Sequence, residues 1–293
     1  MVIINFKGGQ LANRIILFAH FMVNSMEHKY KLYNPEFDEF TPYFEGTSKN
    51  DFEGYPISLT IFKNHFLDRA FSRLFRLWAD ITHKLFSKTP FYTVVRIFKS
   101  HDQKETIYNL NSPEFVRAAT TANVVTEGWL FKDRDNFENH SDTIRKIFTP
   151  VEPYRSEANK VIAEARSNTD ILIGVHIRRG DYERFLGGRW FYSDAIYAEK
   201  MLQVQAQYAA MGKRCAFFIC SNVPIDVQEY DKALQLHYNS RNFIVDLYAM
   251  AQCDGIIGPP STYSMWASFY GKVPLKHINT ADEFIQLGVY ESM

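Results

Sequence analysis

Cysteine is scarce in this chain. Cys215, Cys220 and Cys253 are the only three, and an odd number cannot close on itself in pairs. Each lies in or beside an apolar run (AFFIC, MAQC), where a reduced, buried thiol is the simple reading. No Cys/His cluster has zinc-finger spacing, so a structural metal of that kind is excluded. A reducing compartment, the cytoplasm, is the expectation. An excess of charge is missing as well: Lys plus Arg number 33 and Asp plus Glu 33, for a formal net charge of zero. Bulk charge therefore gives no reason to expect nucleic acid as a partner. Long apolar runs are also lacking; the longest span about ten residues and are broken by His or Asn, against the ~20 needed to cross a bilayer. The opening MVIINFK has no basic region ahead of its apolar one and reads as a strand, not a signal peptide.

What remains is globular. Hydrophobic residues make up 46% and charged residues 23% of 293 positions, enough chain for two domains, each with its own core. Aromatic residues reach 16%. Sugar-handling proteins stack ligands on such rings, but large cores also use them.

The pattern of elements is βα alternation. VIINF reads as a buried strand, KGGQLAN as a glycine-bearing turn, RIILFAHFMVNSMEH as a helix, and YKLYN as a second strand. Between 64 and 88, Leu67, Phe71, Leu74, Trp78, Ile81 and Leu85 recur at helical spacing with Arg69, Arg73, Arg76 and Lys84 interleaved. That stripe either packs on the core or rests as a basic, aromatic face on anionic lipid. NVVTEGWLF predicts a strand and loop, and a helix is expected over 136–147. The prolines of TPVEP mark a boundary, giving domains 1–150 and 151–293. Beyond it come a helix over 154–167, the strand ILIGVHI, a helix over 193–211, the strand CAFFICS, the helix VDLYAMAQC, the strand GIIGP and the helix STYSMWASFYG. Strands alternating with helices predict parallel sheets.

In such sheets ligands bind at the carboxyl ends of the strands. Three polar clusters fall at those ends. KGGQLANR (7–14) follows the first strand. It is not G-x-G-x-x-G, and no acidic residue ends the second strand, which disfavours nicotinamide binding. PPSTYS (259–264) opens a helix, and its hydroxyls either seat an anion or simply cap that helix. HIRRGDY (176–182) puts two arginines and a histidine directly after a buried strand. Unpaired charge is costly to bury there, whereas a guanidinium fits phosphate oxygens as a bidentate fork. A structural pair, Arg179 with Asp181, is the competing use of one arginine.

Taken together these segments resemble the α-1,2-fucosyltransferases of glycosyltransferase family 11, and their relatives that make α-1,6 and protein O-linked fucose. HIRRGDY matches the family's H-x-R-R-G-D-Y without departure. GQLANR (9–14) matches G-x-x-G-N-Q with Ala12 for Gly and Arg14 for Gln. EGWLFKDRDNF (127–137) is similar to G-Y-F-Q-S-E-K-Y-F, and FFICSN (217–222) to F-x-I-F-S-D-D with Asn222 for Asp. DLYAMAQCDGIIGPPSTYSMWAS (246–268) is similar to D-L-x-x-M-x-x-C … N-S-T-F-S-W-W-G-A, with Pro260 for Asn and Met265 for Trp.

The resemblance implies an α/β, GT-B-like fold: two Rossmann-type domains with parallel sheets facing a cleft, an acceptor-side domain at 1–150 and a nucleotide-sugar domain at 151–293. It implies inverting transfer of fucose from GDP-fucose to a glycan or lipid-linked glycan, α-1,2 to galactose in surface polysaccharide synthesis, with no cofactor and no metal. By motif position Arg178 grips the β-phosphate, Arg179 supports the loop, and His176 and Asp246 read the guanine. Ser261, Thr262 and Ser264 hold phosphate oxygens, and Asn13 approaches the donor. The proton of the acceptor hydroxyl needs a base, for which Asp181, Glu183 and Glu127 are candidates. Asp133-Arg134-Asp135 has the D-x-D form that binds a divalent ion in other glycosyltransferases, but in this charged stretch it reads as solvated surface. The expected setting is cytoplasmic, with peripheral contact at the inner face of the membrane through 64–88 as the lipid alternative. Two rival readings are a different nucleotide sugar and a silent nucleotide- or glycan-binding relative.

Overall fold

The computed structural model describes residues 1–60, 95–99, 107–238 and 242–286, with isolated positions between 62 and 81 and at 288. The amphipathic helix expected over 64–88 lies, apart from those isolated positions, outside the described residues. The chain forms two compact units, Met1–Val151 and Glu152–Met293.

The first unit starts with β1 (Val2–Ile4), which is wholly buried. Next comes α1 (Leu11–His28), in which only Asn13 escapes burial between Leu11 and Met26. A helix apolar on most faces has to be wrapped on all sides, and this one is. It stops where Lys29 turns left-handed (φ 56°) and its N–H caps the Ser25 carbonyl. There follow β2 (Leu32–Tyr33), a 3-10 segment (Pro35–Tyr43), α2 (Glu45–Lys49), β3 (Ile57–Ser58), β4 (Val95–Lys99) and β5 (Tyr108–Asn109). The unit closes with α3 (Pro113–Thr121), β6 (Asn123–Glu127), β7 (Phe131–Lys132), α4 (Arg134–Asn139) and α5 (Ser141–Ile147). Strands β3-β2-β1-β6-β4 make one sheet, parallel throughout, and β5-β7 a separate parallel pair.

The single helix expected over 136–147 is two. His140 leaves helical geometry (φ −105°, ψ 12°) between α4 and α5. Asn139-His140-Ser141-Asp142 is a run of weak helix formers, and Ser and Asp favour helix starts over interiors. The aromatic richness is largely core packing here. Phe18 meets Phe37, Phe52 and Phe148 at ring separations of 5.3, 5.9 and 6.0 Å, and Phe21 meets Phe115 and Phe131 at 6.1 and 5.2 Å.

The second unit contains α6 (Glu152–Ala165), β8 (Ile171–Ile177), α7 (Asp194–Ala210), β9 (Cys215–Ser221) and β10 (Leu236–His237). It continues with α8 (Phe243–Met250), β11 (Gly255–Gly258), α9 (Thr262–Gly271) and β12 (Leu275–His277). Its sheet, β10-β9-β8-β11-β12, is again parallel throughout. Pro153 lies in the first turn of α6, where a missing N–H costs nothing, so it starts the helix and does not stiffen a linker. The core gathers Ile173, Val175 and Ile177 of β8, Phe217 and Ile219 of β9, and Tyr197, Met201 and Val204 of α7. All three cysteines are buried thiols. No helix among the described residues is long and apolar enough to cross a membrane.

Candidate active site

In the second sheet β9 and β10 lie to one side of β8, and β11 and β12 to the other. The strand order therefore reverses between β8 and β11, and ligands of open parallel sheets bind beyond the carboxyl ends at such a switch point. His176–Tyr182 leaves one of these two strands and Pro259–Ser264 the other. They are tied together by the Tyr182 hydroxyl, which donates to the Pro260 carbonyl at 2.7 Å. A Cβ on Gly258 would stand 2.7 Å from the His176 carbonyl oxygen, so only glycine lets β11 run this close to β8.

Arg178 occupies the mouth of this junction with its side chain 11% exposed. Its Nη2 meets both oxygens of Asp181, at 2.7 and 2.9 Å, and its guanidinium carbon lies 5.3 Å from the centre of the Tyr182 ring. The Asp181 side chain is 60% exposed. The pair expected between Arg179 and Asp181 is therefore not formed; Arg178 takes that carboxylate. Arg179 turns the other way. Its Nη2 bonds Asp194 at 2.6 Å, its Nη1 donates to the Tyr192 carbonyl, and it lies 5.4 and 5.7 Å from the rings of Phe191 and Tyr197. Tyr230 donates to the same Asp194 oxygen. Arg179 thus fastens the loop to the N-terminus of α7.

Asn222 completes the fastening. Its Oδ1 accepts from the Arg179 N–H at 2.8 Å and its Nδ2 donates to the Arg179 carbonyl at 3.2 Å. A carboxylate could make only the first of these bonds.

His176 is 3% exposed, and its Nδ1 has no hydrogen-bond partner. Burial first, then the positive charge of Arg178, lowers its pKa to about 3, so the ring is neutral. The ring lies 5.1 Å from that of Tyr263, whose hydroxyl donates to the Phe243 carbonyl at the start of α8. Asp246, 7% exposed, sits in the first turn of that helix, where the positive end of the helix dipole favours a carboxylate. Ser261 caps α9 by accepting from the Tyr263 N–H at 3.3 Å, and Thr262 is half-buried beside it. Ser264 is fully buried and donates to the Ser261 carbonyl at 3.0 Å, which places its hydroxyl inside the turn. Glu183 is exposed on the segment leading away from Asp181.

The first unit has a matching switch point between β1 and β6, and the loop 5–10 leaves it. Half-buried Asn13 lies in the first turn of α1. Arg14 is 7% exposed and donates to the Glu36 and Lys7 carbonyls at 3.0 and 2.8 Å, pinning this loop to the 3-10 segment. In the D-x-D stretch Arg134 and Asp135 are exposed, as expected of solvated surface, but Asp133 is not. Asp133 is fully buried, caps α4 through the Asn136 N–H, and accepts from Asn24 and Asn111 at 2.8 Å each. A buried carboxylate is tolerated because donors surround it. Among the described residues no three His, Cys, Asp or Glu side chains gather as a metal-holding group.

The sequence model of glycosyl transferase family 11 matches residues 85–286, over two thirds of the chain. The chain belongs to glycosyl transferase family 11. Human galactoside α-(1,2)-fucosyltransferase 1 is 25% identical over 154 residues, covering 48% of this chain and 40% of that protein. The Sus scrofa protein of the same name is 26% identical over 155 residues, with the same coverage. The match thus spans about two fifths of the length of these relatives. Among solved structures, a mutant of Arabidopsis thaliana FUT1 in complex with GDP superposes with a TM-score of 0.59 at 10% identity, over 94% of this chain and 70% of that one. NodZ α-1,6-fucosyltransferase soaked with GDP-fucose gives 0.53 at 16% identity, over 94% and 93%. POFUT1 in complex with GDP-fucose gives 0.54 at 12%, over 95% and 98%. The fold shared with these GT-B-like fucosyltransferases is α/β with parallel sheets.

Within this family 11 chain, Tyr182, Tyr263, Asp194 and Asn222 support the candidate residues, and sequence reasoning gave none of them a role. Tyr182 and Tyr263 lay inside recognised motifs, so their positions were in view. Asp194 carried no signal beyond being an acidic residue just after the Ser193 cap of α7.

Proposed function

We propose that the protein transfers fucose from GDP-fucose to a hydroxyl of a glycan, with Arg178 absorbing the charge that grows on the departing GDP. The observation that carries this reading is the place of Arg178 at the β8–β11 switch point, its guanidinium held at the rim by Tyr182 and an exposed carboxylate. The pair is open to water on its Asp181 side, 60% exposed, and an ion pair screened in this way is worth about 1 kcal/mol. A diphosphate offers more charge and a bidentate match, so it displaces Asp181 at small cost, and the Asp181 oxygens mark where phosphate oxygens go. His176 and Asp246 read the guanine, and Ser261 and Thr262 face the phosphates. In this assignment residues 151–293 hold the donor, Asn13 approaches the donor, and 1–150 contribute to the acceptor side.

An acceptor oxygen attacks the anomeric carbon, the bond from that carbon to the β-phosphate oxygen breaks, and its electron pair stays with GDP beside Arg178. The anomeric carbon inverts. The proton goes to Glu183, exposed on the loop just beyond Arg178. With an arginine at the leaving group, the positive charge comes from the chain itself, and no metal is assigned. The names of the matched relatives support a galactoside acceptor and an α-1,2 linkage, and surface polysaccharide synthesis is the setting we assign.

Turnover of GDP-fucose by the purified protein tests the reading. Arg178→Ala should lower kcat by about a hundredfold or more, as expected for loss of a group that stabilises transition-state charge. Glu183→Gln should lower kcat while GDP affinity holds, and a chelator should change neither. A protein that neither binds GDP nor turns over any nucleotide sugar would contradict the proposal.

A further inference from the structure

Immediately beyond Asp181 the chain makes a tight hook, residues 183–191. Three successive residues have left-handed backbone: Leu186 (φ 48°), Gly187 (φ 69°) and Gly188 (φ 77°). The glycines adopt this freely. Leu186 does not, because its Cβ crowds the following carbonyl, a cost of roughly 1 kcal/mol. The hook nonetheless lifts apolar groups into solvent: Phe185 is 46%, Leu186 55% and Phe191 38% exposed. Strain that exposes a phenylalanine and a leucine together does nothing for folding.

The exposed ring is not isolated. Phe185 stacks on Tyr182 at 5.3 Å with 27° between planes, and Tyr182 in turn lies 5.3 Å from the Arg178 guanidinium carbon. Trp190 backs Phe185 at 6.1 Å, and Arg189 covers Trp190 at 5.4 Å. The two 5.3 Å steps put the Phe185 ring no more than about 11 Å from the guanidinium of Arg178. A transferring sugar sets a similar length. A charge-assisted bond to the phosphate takes ~2.8 Å, and a near-attack separation of the acceptor oxygen takes ~3 Å. With the intervening bonds, an acceptor sugar lies about as far from the Arg178 guanidinium as the Phe185 ring can stand.

The charges decide what sits on that ring. Within 181–191 the hook carries Asp181, Glu183, Arg184 and Arg189, two of each sign. A lipid-seeking loop needs a basic surplus to be drawn to an anionic surface. A hexose instead needs a flat apolar face with groups nearby that take and give hydrogen bonds to its hydroxyls, and a ring on a loop that carries both carboxylates and guanidinium groups supplies that.

We propose that the hook 183–191 is the acceptor subsite, with Phe185 as the platform under the apolar face of the acceptor hexose and the charged groups beside it bonding its hydroxyls. This rests on the transferase reading above. Phe185 is a binding and specificity-determining residue, and the strain at Leu186 holds the platform out of the core.

Transfer from GDP-fucose to a panel of galactose-terminated saccharides, with GDP affinity measured in parallel, tests it. Phe185→Ala should raise the acceptor KM by about tenfold or more and leave the Kd for GDP within about twofold, whereas Phe185→Tyr, which keeps the ring, should restore the wild-type acceptor KM. An unchanged acceptor KM in Phe185→Ala overturns the proposal. So does a loss of GDP affinity as large as the rise in acceptor KM, which would make the hook part of the donor site. Binding of the wild type but not Phe185→Ala to phosphatidylglycerol vesicles, with acceptor KM unmoved, would assign the hook to lipid and also overturn it. Failure of the wild type to bind GDP is a different result, and it removes the transferase reading itself.

Discussion

Arg178 and Arg179 are neighbours in sequence with opposite tasks. Arg178 stays at the rim of the switch point, held by a carboxylate that water can reach. Arg179 is consumed by the fold, anchored to Asp194 and ringed by Phe191 and Tyr197. The motif singled out Arg178 as the arginine to face a ligand and Arg179 as support for the loop, and Arg179 is the one bound into the fold. It did not reveal the partners, because a carboxylate three residues on and another fifteen residues on compete for two long side chains, and only packing chooses between them. If Asp181 is a surrogate for phosphate, removing its charge helps the real ligand. Asp181→Asn should bind GDP about three- to fivefold more tightly, the worth of a weak exposed pair, as read by calorimetry. Weaker binding would mean that Asp181 holds Arg178 in place and does not compete with the ligand. Asn222 carries a related lesson. It departs from the family's Asp, yet its amide makes both a donated and an accepted bond to Arg179, which the sequence alone could not show.

Among the elements, the parallel strands were the most legible. ILIGVHI, CAFFICS and GIIG are short apolar runs closed by polar loops, and each is a buried strand of the second sheet. The break in the helix over 136–147 had a local signal in its weak helix formers, but the buried place of Asp133 was not legible. Asp133 looks like a charge among charges, but Asn24 and Asn111 come from distant elements to join the nearby Asn136 around it, and local pattern carries no trace of such an arrangement. Beside it, His20 is packed on Phe137 at 4.5 Å, and burial, with help from the charge of Lys132, lowers its pKa to about 3. The consequence for pH has a definite sign. Above about pH 6.5 the ring is neutral whether the chain is folded or unfolded, and it contributes nothing. Below that the unfolded chain takes up a proton that the folded one refuses until about pH 3, so stability falls as the pH drops through this window. The same holds for His176, buried in the second unit. Each buried histidine adds about 1.4 kcal/mol of lost stability per pH unit. Denaturant unfolding of His20→Gln should therefore show a shallower decline between pH 6 and pH 4 than the wild type, by about one proton. An identical slope would mean that His20 is already protonated in the folded state.

For the molecule as a whole, alternation of strand and helix announced two parallel-sheet units, and family 11 membership follows from a match over residues 85–286, the end of the first unit and nearly all of the second. The aromatic content left sugar contacts and core packing both open; many of the rings pack in the cores of the two units, and Phe185 was not singled out because one exposed ring leaves no mark on a percentage. The account depends on a guanidinium at the second sheet's switch point meeting the diphosphate of a guanine nucleotide. Calorimetric titration of GDP and UDP into the wild type and into Arg178→Ala measures this most directly. The expected result is binding of GDP but not UDP by the wild type, with GDP affinity falling about a hundredfold in Arg178→Ala. GDP affinity unmoved by that substitution, or UDP bound as tightly as GDP, would contradict it.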